Sequence, residues 1–293
     1  MQHNIRVRFE RESDNPLTGG DVPDWRIQFA ARVASVENPA PGDARPGDLI
    51  TLLTRTSVPG VGEVSFVTPG WSSLPLSLAI KTALFADRKR ARVRFKGNFS
   101  SPTSDELKQL YDFFEAAMAS AVFSYIALEA HANQLITMHL REGTHTVQRG
   151  KGKKAIRKRL SAAQIERQVS TTEKYAAIIP ELTGIATPKG LAIWEDLKAL
   201  KDLRDGATHH KSEQHYVRGK PDRRSLYYRL LEEPAVGYPQ RAIRVMRHFA
   251  PDGSNGLDAA ETELSRSYRL PLSARFREAL RVLLGRTEGT IVE

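Results

Sequence analysis

The chain has no cysteine among its 293 residues, so disulfide bonds and thiolate metal sites are excluded. This composition is typical of proteins that work in a reducing compartment. The sequence also lacks an uninterrupted apolar stretch of the roughly 20 residues that cross a bilayer. Residues 1–9 alternate apolar and charged side chains and do not resemble a signal peptide. We therefore expect a cytoplasmic protein that does not bind a membrane.

Negative charge is in short supply, because 34 Asp and Glu residues stand against 44 Lys and Arg residues, which gives a net charge of +10. The excess is concentrated in two basic clusters, at residues 88–96 and 149–159. Clustered cations favour a polyanionic partner, although solvated basic faces without a binding role produce the same pattern. We expect RNA to contact the second cluster. The cations assigned to RNA binding are Lys151, Lys153, Lys154, Arg157, Lys158 and Arg159.

The first hundred residues show the pattern of strands. Apolar and charged residues alternate at 5–10, 25–29 and 91–96, which predicts half-buried β-strands. Clusters rich in proline and glycine separate these segments and predict turns. A short helix is predicted at residues 76–86. Residues 1–100 are therefore expected to form a β-rich domain, for which the sequence indicates no definite role.

Near residue 100 the pattern changes to that of helices. Ser104 is predicted to cap a helix that has Asp105 and Glu106 in its first turn. No proline or glycine follows before residue 143. These features predict one largely buried helix of roughly 38 residues, about 57 Å long.

Two further elements are predicted directly after the long helix. Residues 143–158 are expected to form a basic, glycine-containing loop, and residues 161–179 a second helix. Pro180 and Gly184 are predicted to end that helix.

A third helix is predicted up to Leu203, and Gly206 is expected to weaken its end. Beyond it lie a polar stretch, short mixed segments, a loop at 251–256 and a final amphipathic helix at 272–284. Residues 216–293 are thus predicted to form a mixed segment that packs on the helices or on the N-terminal domain.

The long helix carries a polar stripe on a mostly apolar surface. Its members recur every four residues and therefore share one face: Tyr125, Glu129, Asn133 and Thr137. A carboxylate and a carboxamide in a buried helix need partners, and Arg204 is the natural candidate for Glu129. Two interpretations are open: a purely structural polar network, or the border of an active groove that orients Arg204.

Residues 204–210 (RDGATHH) come directly after the helical pattern that ends at Leu203. They combine a permanent cation with two groups that exchange protons near neutral pH. Asp205 and His209 are one helical turn apart. The carboxylate is predicted either to orient the imidazole and raise its pKa or to form an ordinary surface pair. Arg204 lies about 140° around a straight helix from His209. A break at Gly206, or a second copy of the chain, would bring the two together.

Three segments resemble parts of HEPN-type helical proteins. Residues 123–136 (FSYIALEAHANQLI) resemble the first long helix of that family, and residues 170–180 (STTEKYAAIIP) are similar to its middle helix. Arg204 and His209 match the family hallmark, an arginine followed after four to six residues by a histidine. The resemblance covers residues 104–212.

This resemblance implies an α+β fold in which the β-rich segment 1–100 precedes a HEPN-like α-helical bundle at 101–215, followed by the mixed segment 216–293. It also implies a homodimer that forms through the long helices, so that two copies of the motif line one cleft. In nuclease members of the family, RNA is cleaved in that cleft without a metal or another cofactor.

For this chain, the resemblance assigns phosphate binding to Arg204. It assigns proton transfer at the 2′-hydroxyl or the leaving oxygen to His209 or His210. Both histidines lie within the family's spacing from the arginine, so the two remain alternatives. Asp205 takes a polar position that is commonly asparagine. The predicted supporting residues are Tyr125, Glu129 and Asn133. RNA supplies its own nucleophile, so a positioned acid or base, worth roughly 10²–10⁴-fold in rate, and charge stabilisation are sufficient.

Two hypotheses follow. The first is a homodimeric endoribonuclease with a toxin or defence role, in which residues 1–100 recognise a regulatory partner protein, sense a signal or restrain the nuclease. The second is a non-catalytic module for dimerisation and for binding nucleic acid or protein. No metal site is expected, because the histidines show no HExxH or comparable spacing. Residues 150–154 lack the pattern of a phosphate-binding loop and are interpreted as a flexible cationic loop.

Overall fold

A computed structural model of the chain describes residues 6–10, 25–26, 30–37, 49–51, 53–93, 103–140, 142–149, 156–209, 225–250 and 255–268. Most of these residues are helical, and short antiparallel sheets provide the rest of the regular structure. The predicted α+β class is confirmed at this level, while the HEPN-like bundle within it stays a proposal.

The strands before the first helix form two small sheets. One contains β1 (Arg6–Glu10), β2 (Ala30–Glu37) and β3 (Leu49–Thr51), and the other is a hairpin of β4 (Leu53–Val58) and β5 (Gly62–Val67). β1 confirms the first predicted strand. The strand predicted at 25–29 is wrong at its start, because Trp25 and Arg26 form a turn. The Trp25 indole donates to Glu263 at 2.9 Å, so this segment is anchored on a helix.

The first helix, α1 (Ser73–Arg90), confirms the short helix predicted inside this range and extends it. The strand predicted at 91–96 is wrong at residues 91–93, where the chain turns after the helix, and residues 94–96 lie outside the described part. The reason is the basic run that ends α1. Cations in the last turn of a helix are favoured by the helix dipole, so residues 88–90 continue the helix.

The long helix is confirmed as α2 (Ser104–Leu140), which has 37 residues. Its cap lies one residue earlier than predicted. The Thr103 hydroxyl accepts a hydrogen bond from the Glu106 amide at 3.2 Å, and the Glu106 carboxylate accepts one from the Thr103 amide at 3.0 Å. This reciprocal pair is a capping box, in which Thr103, and not Ser104, satisfies the free amide.

By length and composition, α2 is apolar enough to cross a membrane, and it is the one such helix among the described residues. Half of its most apolar 18-residue window is buried inside the fold. Many of its apolar side chains are therefore covered by the protein's own helices, which is what a core helix requires.

The basic loop predicted after α2 is instead a hairpin of β6 (Thr144–Arg149) and β7 (Ile156–Ser161). Val147 and Leu160 are buried on its inner side, while Arg157, Lys158 and Arg159 are exposed. The inward apolar residues and the β-branched threonines explain the strands, whereas the glycines and lysines between them had indicated a loop.

The second predicted helix is divided into pieces. α3 (Ala162–Gln168) is followed by α4 (Thr171–Glu173), a π-helical turn (Lys174–Ile178) and α5 (Ile179–Thr183). The division follows from Ser170, whose hydroxyl accepts from the Glu173 amide and starts a new helix. Pro180 lies in the first turn of α5 and does not end it, because that position needs no amide donor. Gly184, with φ of 76°, forms the predicted end.

The third predicted helix is α6 (Ala192–Thr208), and the described residues after it form three shorter helices. These are α7 (Leu226–Glu232), α8 (Gly237–His248) and α9 (Asn255–Tyr268). Gly206 was expected to weaken this end of the helix, and it does not break it, because α6 continues to Thr208 and buries this glycine. The loop predicted at 251–256 is wrong at its end, where α9 begins, and the final helix predicted at 272–284 lies outside the described residues.

The long helix α2 lies at the centre of the core, and α1, α6 and α8 all pack against it. One apolar core joins Ile80 of α1, Leu128 of α2, Leu200 of α6 and Val245 of α8. Residues from all three predicted segments therefore share this core, and the division at residues 100 and 215 stays a prediction.

Candidate functional site

Arg204 lies at the edge of the contact between α6 and α2. Its neighbour Leu203 is buried in the core, together with Leu200, so the arginine follows directly beside the helix interface. The guanidinium carbon lies 4.4 Å from the ring centroid of Tyr125, which is 2% exposed. A cation over an aromatic face is attracted by the negative face of the ring. The ring contact therefore holds the guanidinium in place. The Arg204 side chain is still 29% exposed, so the guanidinium reaches solvent.

Asp205 joins two cations on the same face of α6. One carboxylate oxygen lies 2.9 Å from Nη1 of Arg204, and the other accepts a hydrogen bond of 2.5 Å from Nζ of Lys201. The hydrogen bond to Asp205 raises the pKa of Lys201. Sequence reasoning missed Lys201, although its i, i+4 spacing to Asp205 was a usable signal.

His209 forms the C-terminal cap of α6, and its backbone amide donates to the Asp205 carbonyl at 2.9 Å. The imidazole is exposed and has no hydrogen-bond or ion-pair partner within the part of the chain that the structure describes. The predicted side-chain contact between Asp205 and His209 is therefore not formed, because Lys201 and Arg204 occupy both carboxylate oxygens. His210 lies outside the described residues.

The polar stripe of α2 finds a different partner from the one predicted. The fully buried Lys174, in the π-helical turn, donates to the Asn133 side-chain oxygen at 2.8 Å and to the Glu166 carbonyl at 3.0 Å. Burial lowers the pKa of Lys174, and the charges of Glu129 and Glu166 oppose that shift. Arg204 was expected to pair with Glu129, but the structure gives no such ion pair.

A second buried contact, also missed from the sequence, lies beneath the stripe. The Tyr175 hydroxyl donates to the Leu128 carbonyl at 2.9 Å and is 3.0 Å from Nδ1 of His131, which must then be the donor. Burial lowers the pKa of His131 to about 4. Burial, and after it the nearby Tyr125, raises the pKa of Tyr175 well above its usual value. These groups hold α2 to the π-helical turn and are closed to a substrate.

The basic hairpin is the second part of the candidate site. The exposed cations of β7 confirm an accessible positive surface at Arg157, Lys158 and Arg159, although RNA binding there stays a prediction. Lys151, Lys153 and Lys154 lie outside the described residues. Tyr125, whose ring contacts Arg204, precedes the end of α2 by 15 residues, so that end of the helix, after which the hairpin begins, lies about 22 Å further along the axis.

Two cations of the first basic cluster, Lys89 and Arg90, are used inside the fold. Lys89 forms a 2.6 Å ion pair with Asp112, and Arg90 donates to the Leu231 carbonyl at 2.6 Å. These cations join α1 to α2 and to the end of α7, so they contribute less to a nucleic-acid surface than their spacing indicated.

Potential metal ligands do not converge within the described residues: no group of three or more His, Cys, Asp and Glu side chains is suitably placed. The Nδ1 atom of His139 is 2.8 Å from the Leu135 carbonyl of its own helix. The chemistry that the described groups offer is therefore anion binding by Arg204 and Lys201, and proton transfer by the exposed His209. No protein family, curated protein or solved structure matches this chain.

Proposed function

We propose that the protein is a metal-independent endoribonuclease of HEPN type that acts as a homodimer. The observation that carries this proposal is the placement of Arg204. Its guanidinium is fixed over Tyr125 yet partly exposed, and the exposed His209 lies at the end of the same helix. A guanidinium is suited to the oxygens of a phosphate, and an imidazole transfers protons near neutral pH.

In the proposed reaction, the 2′-hydroxyl oxygen of RNA forms a bond to the adjacent phosphorus, and the bond from phosphorus to the 5′-oxygen breaks. A histidine accepts the proton of the 2′-hydroxyl, and an acid returns a proton to the leaving 5′-oxygen. Arg204 stabilises the charge that develops on the phosphoryl oxygens. The products are a 2′,3′-cyclic phosphate and a 5′-hydroxyl, and DNA is not a substrate because it lacks the nucleophile.

The unbroken helix α6 supports the dimeric form of this proposal. Because the helix continues through Gly206, Arg204 and His209 of one chain are not drawn together by a bend. A second copy, related by a two-fold axis, would place a histidine of one chain opposite the arginine of the other. The exposed cations of β7 would then hold the RNA away from the reacting phosphate, where phosphate contacts position the strand without reading its sequence.

The test is cleavage of single-stranded RNA by the full chain in the presence of EDTA, with analysis of the product ends. We expect cyclic-phosphate ends from the unmodified protein. Arg204→Ala and the double variant His209→Ala with His210→Ala are expected to lose at least roughly 10²-fold in rate, as for removal of a charge-stabilising or proton-transfer group. Arg88→Ala is the control, because this exposed arginine hydrogen-bonds within its own helix. Undiminished cleavage by the first two variants would exclude this active site.

A second candidate function is a non-catalytic binding and dimerisation module. It is favoured by Asp205, which neutralises Arg204 and makes no side-chain contact with His209. Under this hypothesis Arg204→Ala lowers the melting temperature through the lost contact with Tyr125, worth about 1 kcal/mol, and no RNA is cleaved. Salt-dependent binding of uncleaved RNA would identify nucleic acid as the ligand of such a module.

A further inference from the structure

We propose that Lys201 and Arg204 together form the phosphate site, and that Asp205 is a built-in anion that occupies this site until a phosphate displaces it. The inference rests on the proposed function for the identity of the ligand, a phosphodiester of RNA. It adds Lys201 to the site and gives Asp205 a restraining role in place of the predicted role as a partner of the histidine.

The geometry of the three side chains supports this assignment. Lys201, Arg204 and Asp205 are spaced i, i+3 and i+4, so they share one face of α6. The carboxylate contacts the ammonium at 2.5 Å and the guanidinium at 2.9 Å. A phosphodiester has the same charge as a carboxylate and also presents two oxygens, so it can take the same two cations. The Asp205 carboxylate therefore marks the position in which a phosphate would bind.

Access and energy also permit the exchange. The side chains of Lys201, Asp205 and Arg204 are 36%, 32% and 29% exposed, so a ligand reaches each of them from solvent. Partly exposed ion pairs contribute little to stability, because water already screens them. Arg204 keeps its position during an exchange, since the buried Tyr125 ring holds the guanidinium independently of the carboxylate.

Helix stability alone does not account for a carboxylate at this position. Asp205 lies in the last turn of α6, where the negative end of the helix dipole disfavours an anion. The pair with Lys201 also runs in the less favourable direction, with the lysine N-terminal to the acid. The neighbouring cations Lys201 and Arg204 stabilise the Asp205 carboxylate electrostatically. The same two cations attract a phosphate when the carboxylate is removed.

The experiment compares two aspartates of the same helix in the full chain. Asp205→Asn removes the internal anion, and Asp202→Asn removes an exposed carboxylate that has no ion pair among the described residues. Both changes alter the net charge by the same amount. The probe is a fluorescent single-stranded RNA with 2′-O-methyl sugars, which cannot be cleaved by attack of the 2′-oxygen. Affinity is measured by anisotropy over a range of salt concentrations.

We expect Asp205→Asn to bind this probe about fivefold more tightly than the unmodified chain, the effect of releasing one partly exposed ion pair. Asp202→Asn should change the affinity less than about twofold, because Asp202 acts on Lys201 only as a nearby charge and forms no ion pair with it. The logarithmic salt dependence of Asp205→Asn should become steeper by about 0.7, as for one more phosphate contact on a single strand.

A second pair of variants tests Lys201 without altering Asp205. Lys201→Gln is expected to weaken binding of the same probe about threefold, and Lys198→Gln, whose ammonium pairs with Glu195 at 2.8 Å, is the control. The inference is overturned if Asp205→Asn binds no better than Asp202→Asn, or if Lys201→Gln binds as well as Lys198→Gln.

Cleavage of unmodified RNA separates this inference from the proposed function. If the unmodified chain does not cleave RNA and Asp205→Asn still binds the probe more tightly, the nuclease proposal fails and the phosphate site stands. If the unmodified chain cleaves RNA and the two aspartate variants bind alike, the restraining role fails and the nuclease proposal stands. Thermal melting of each variant confirms that it is folded before its affinity is compared.

Discussion

The fully buried Lys174 donates a hydrogen bond of 2.8 Å to the side-chain oxygen of Asn133, and this contact ties the π-helical turn to the polar stripe of α2. A buried ammonium needs such partners, because removing it from water without compensation costs several kcal/mol. The two partners are not equivalent, since one carries a charge and the other does not.

This asymmetry predicts unequal effects of removing each partner. Asn133→Leu leaves a buried charge with one partner fewer and is expected to destabilise the fold by about 3 kcal/mol. Lys174→Met keeps most of the volume and removes the donor from two neutral acceptors, the Asn133 side-chain oxygen and the Glu166 carbonyl, so it should cost about 1–2 kcal/mol. Urea unfolding measures both values. A larger loss for Lys174→Met would show that the ammonium itself is a net stabilising group.

The buried His131 predicts a loss of stability in acid. Its pKa in the folded chain, about 4, lies below the ordinary value of 6.5, so the unfolded chain binds the proton first. The stability that His131 contributes is fully present above about pH 6.5 and is lost as the pH falls to about 4, by about 3 kcal/mol in total. His131→Gln keeps a donor for Tyr175 and cannot titrate. The difference in unfolding free energy between the two proteins should shrink over this range, and a constant difference would contradict the prediction.

The buried Asp87 predicts the opposite pH dependence of stability, a gain as the pH falls. Its carboxylate accepts hydrogen bonds from the amides of Ala235 and Val236 before α8, at 2.8 and 3.2 Å. Burial raises the pKa of Asp87 from 3.8 to about 6, so the folded chain binds the proton first. Acidification from about pH 6 to about pH 4 therefore stabilises the fold at this site, by about 3 kcal/mol at most.

Asp87→Asn tests this sign, because asparagine cannot take up the proton. The unmodified chain should exceed the variant in stability most at about pH 4 and least above about pH 6. Urea unfolding at several pH values gives the comparison, with the exposed Asp202→Asn as a surface control. A stability gap that widens as the pH rises would be incompatible with the raised pKa.

The β6–β7 hairpin predicts an effect on RNA binding that is separate from catalysis. Exchanging Arg157 and Lys158 for glutamine should weaken RNA binding and raise KM, while kcat changes little, because the proposed function gives these cations a role in holding the strand and none in the reaction. Each lost phosphate contact should reduce the logarithmic salt dependence by about 0.7. The control exchanges the exposed Lys81 and Arg88 of α1 for glutamine. Equal weakening by both pairs would mean that only net charge matters.

The parts of the fold that the sequence predicted well are those in which one local rule dominates. The length of α2 follows from an apolar run without proline or glycine, and the end at Gly184 follows from a residue that tolerates positive φ. The N-terminal boundary was misplaced by one residue because Thr103 and Ser104 are both good caps, and only the contact with Glu106 distinguishes them.

The features that the sequence analysis missed divide into those that had a local signal and those that tertiary packing decided. The break at Ser170 had a capping serine as its signal, and the β6–β7 hairpin had two inward apolar residues, which the basic, glycine-containing composition of that segment obscured. The burial of Lys174 had none, since lysine is almost always exposed and its partners come from α2 and α3. At the candidate site, Arg204 and Tyr125 were both named from the sequence, but their contact with each other was not, because it depends on how α6 packs against α2.

The common core of α1 and α2 has a practical consequence for dissecting the protein. A fragment that began at residue 101 would lose Ile80 and Ala83, which are fully buried in the intact chain, and would present the bare side of α2 to water. Exposed apolar area of this kind promotes aggregation. Expression trials are therefore best designed around both helices together, because Arg204 is held by Tyr125 of α2, and α2 shares its core with α1.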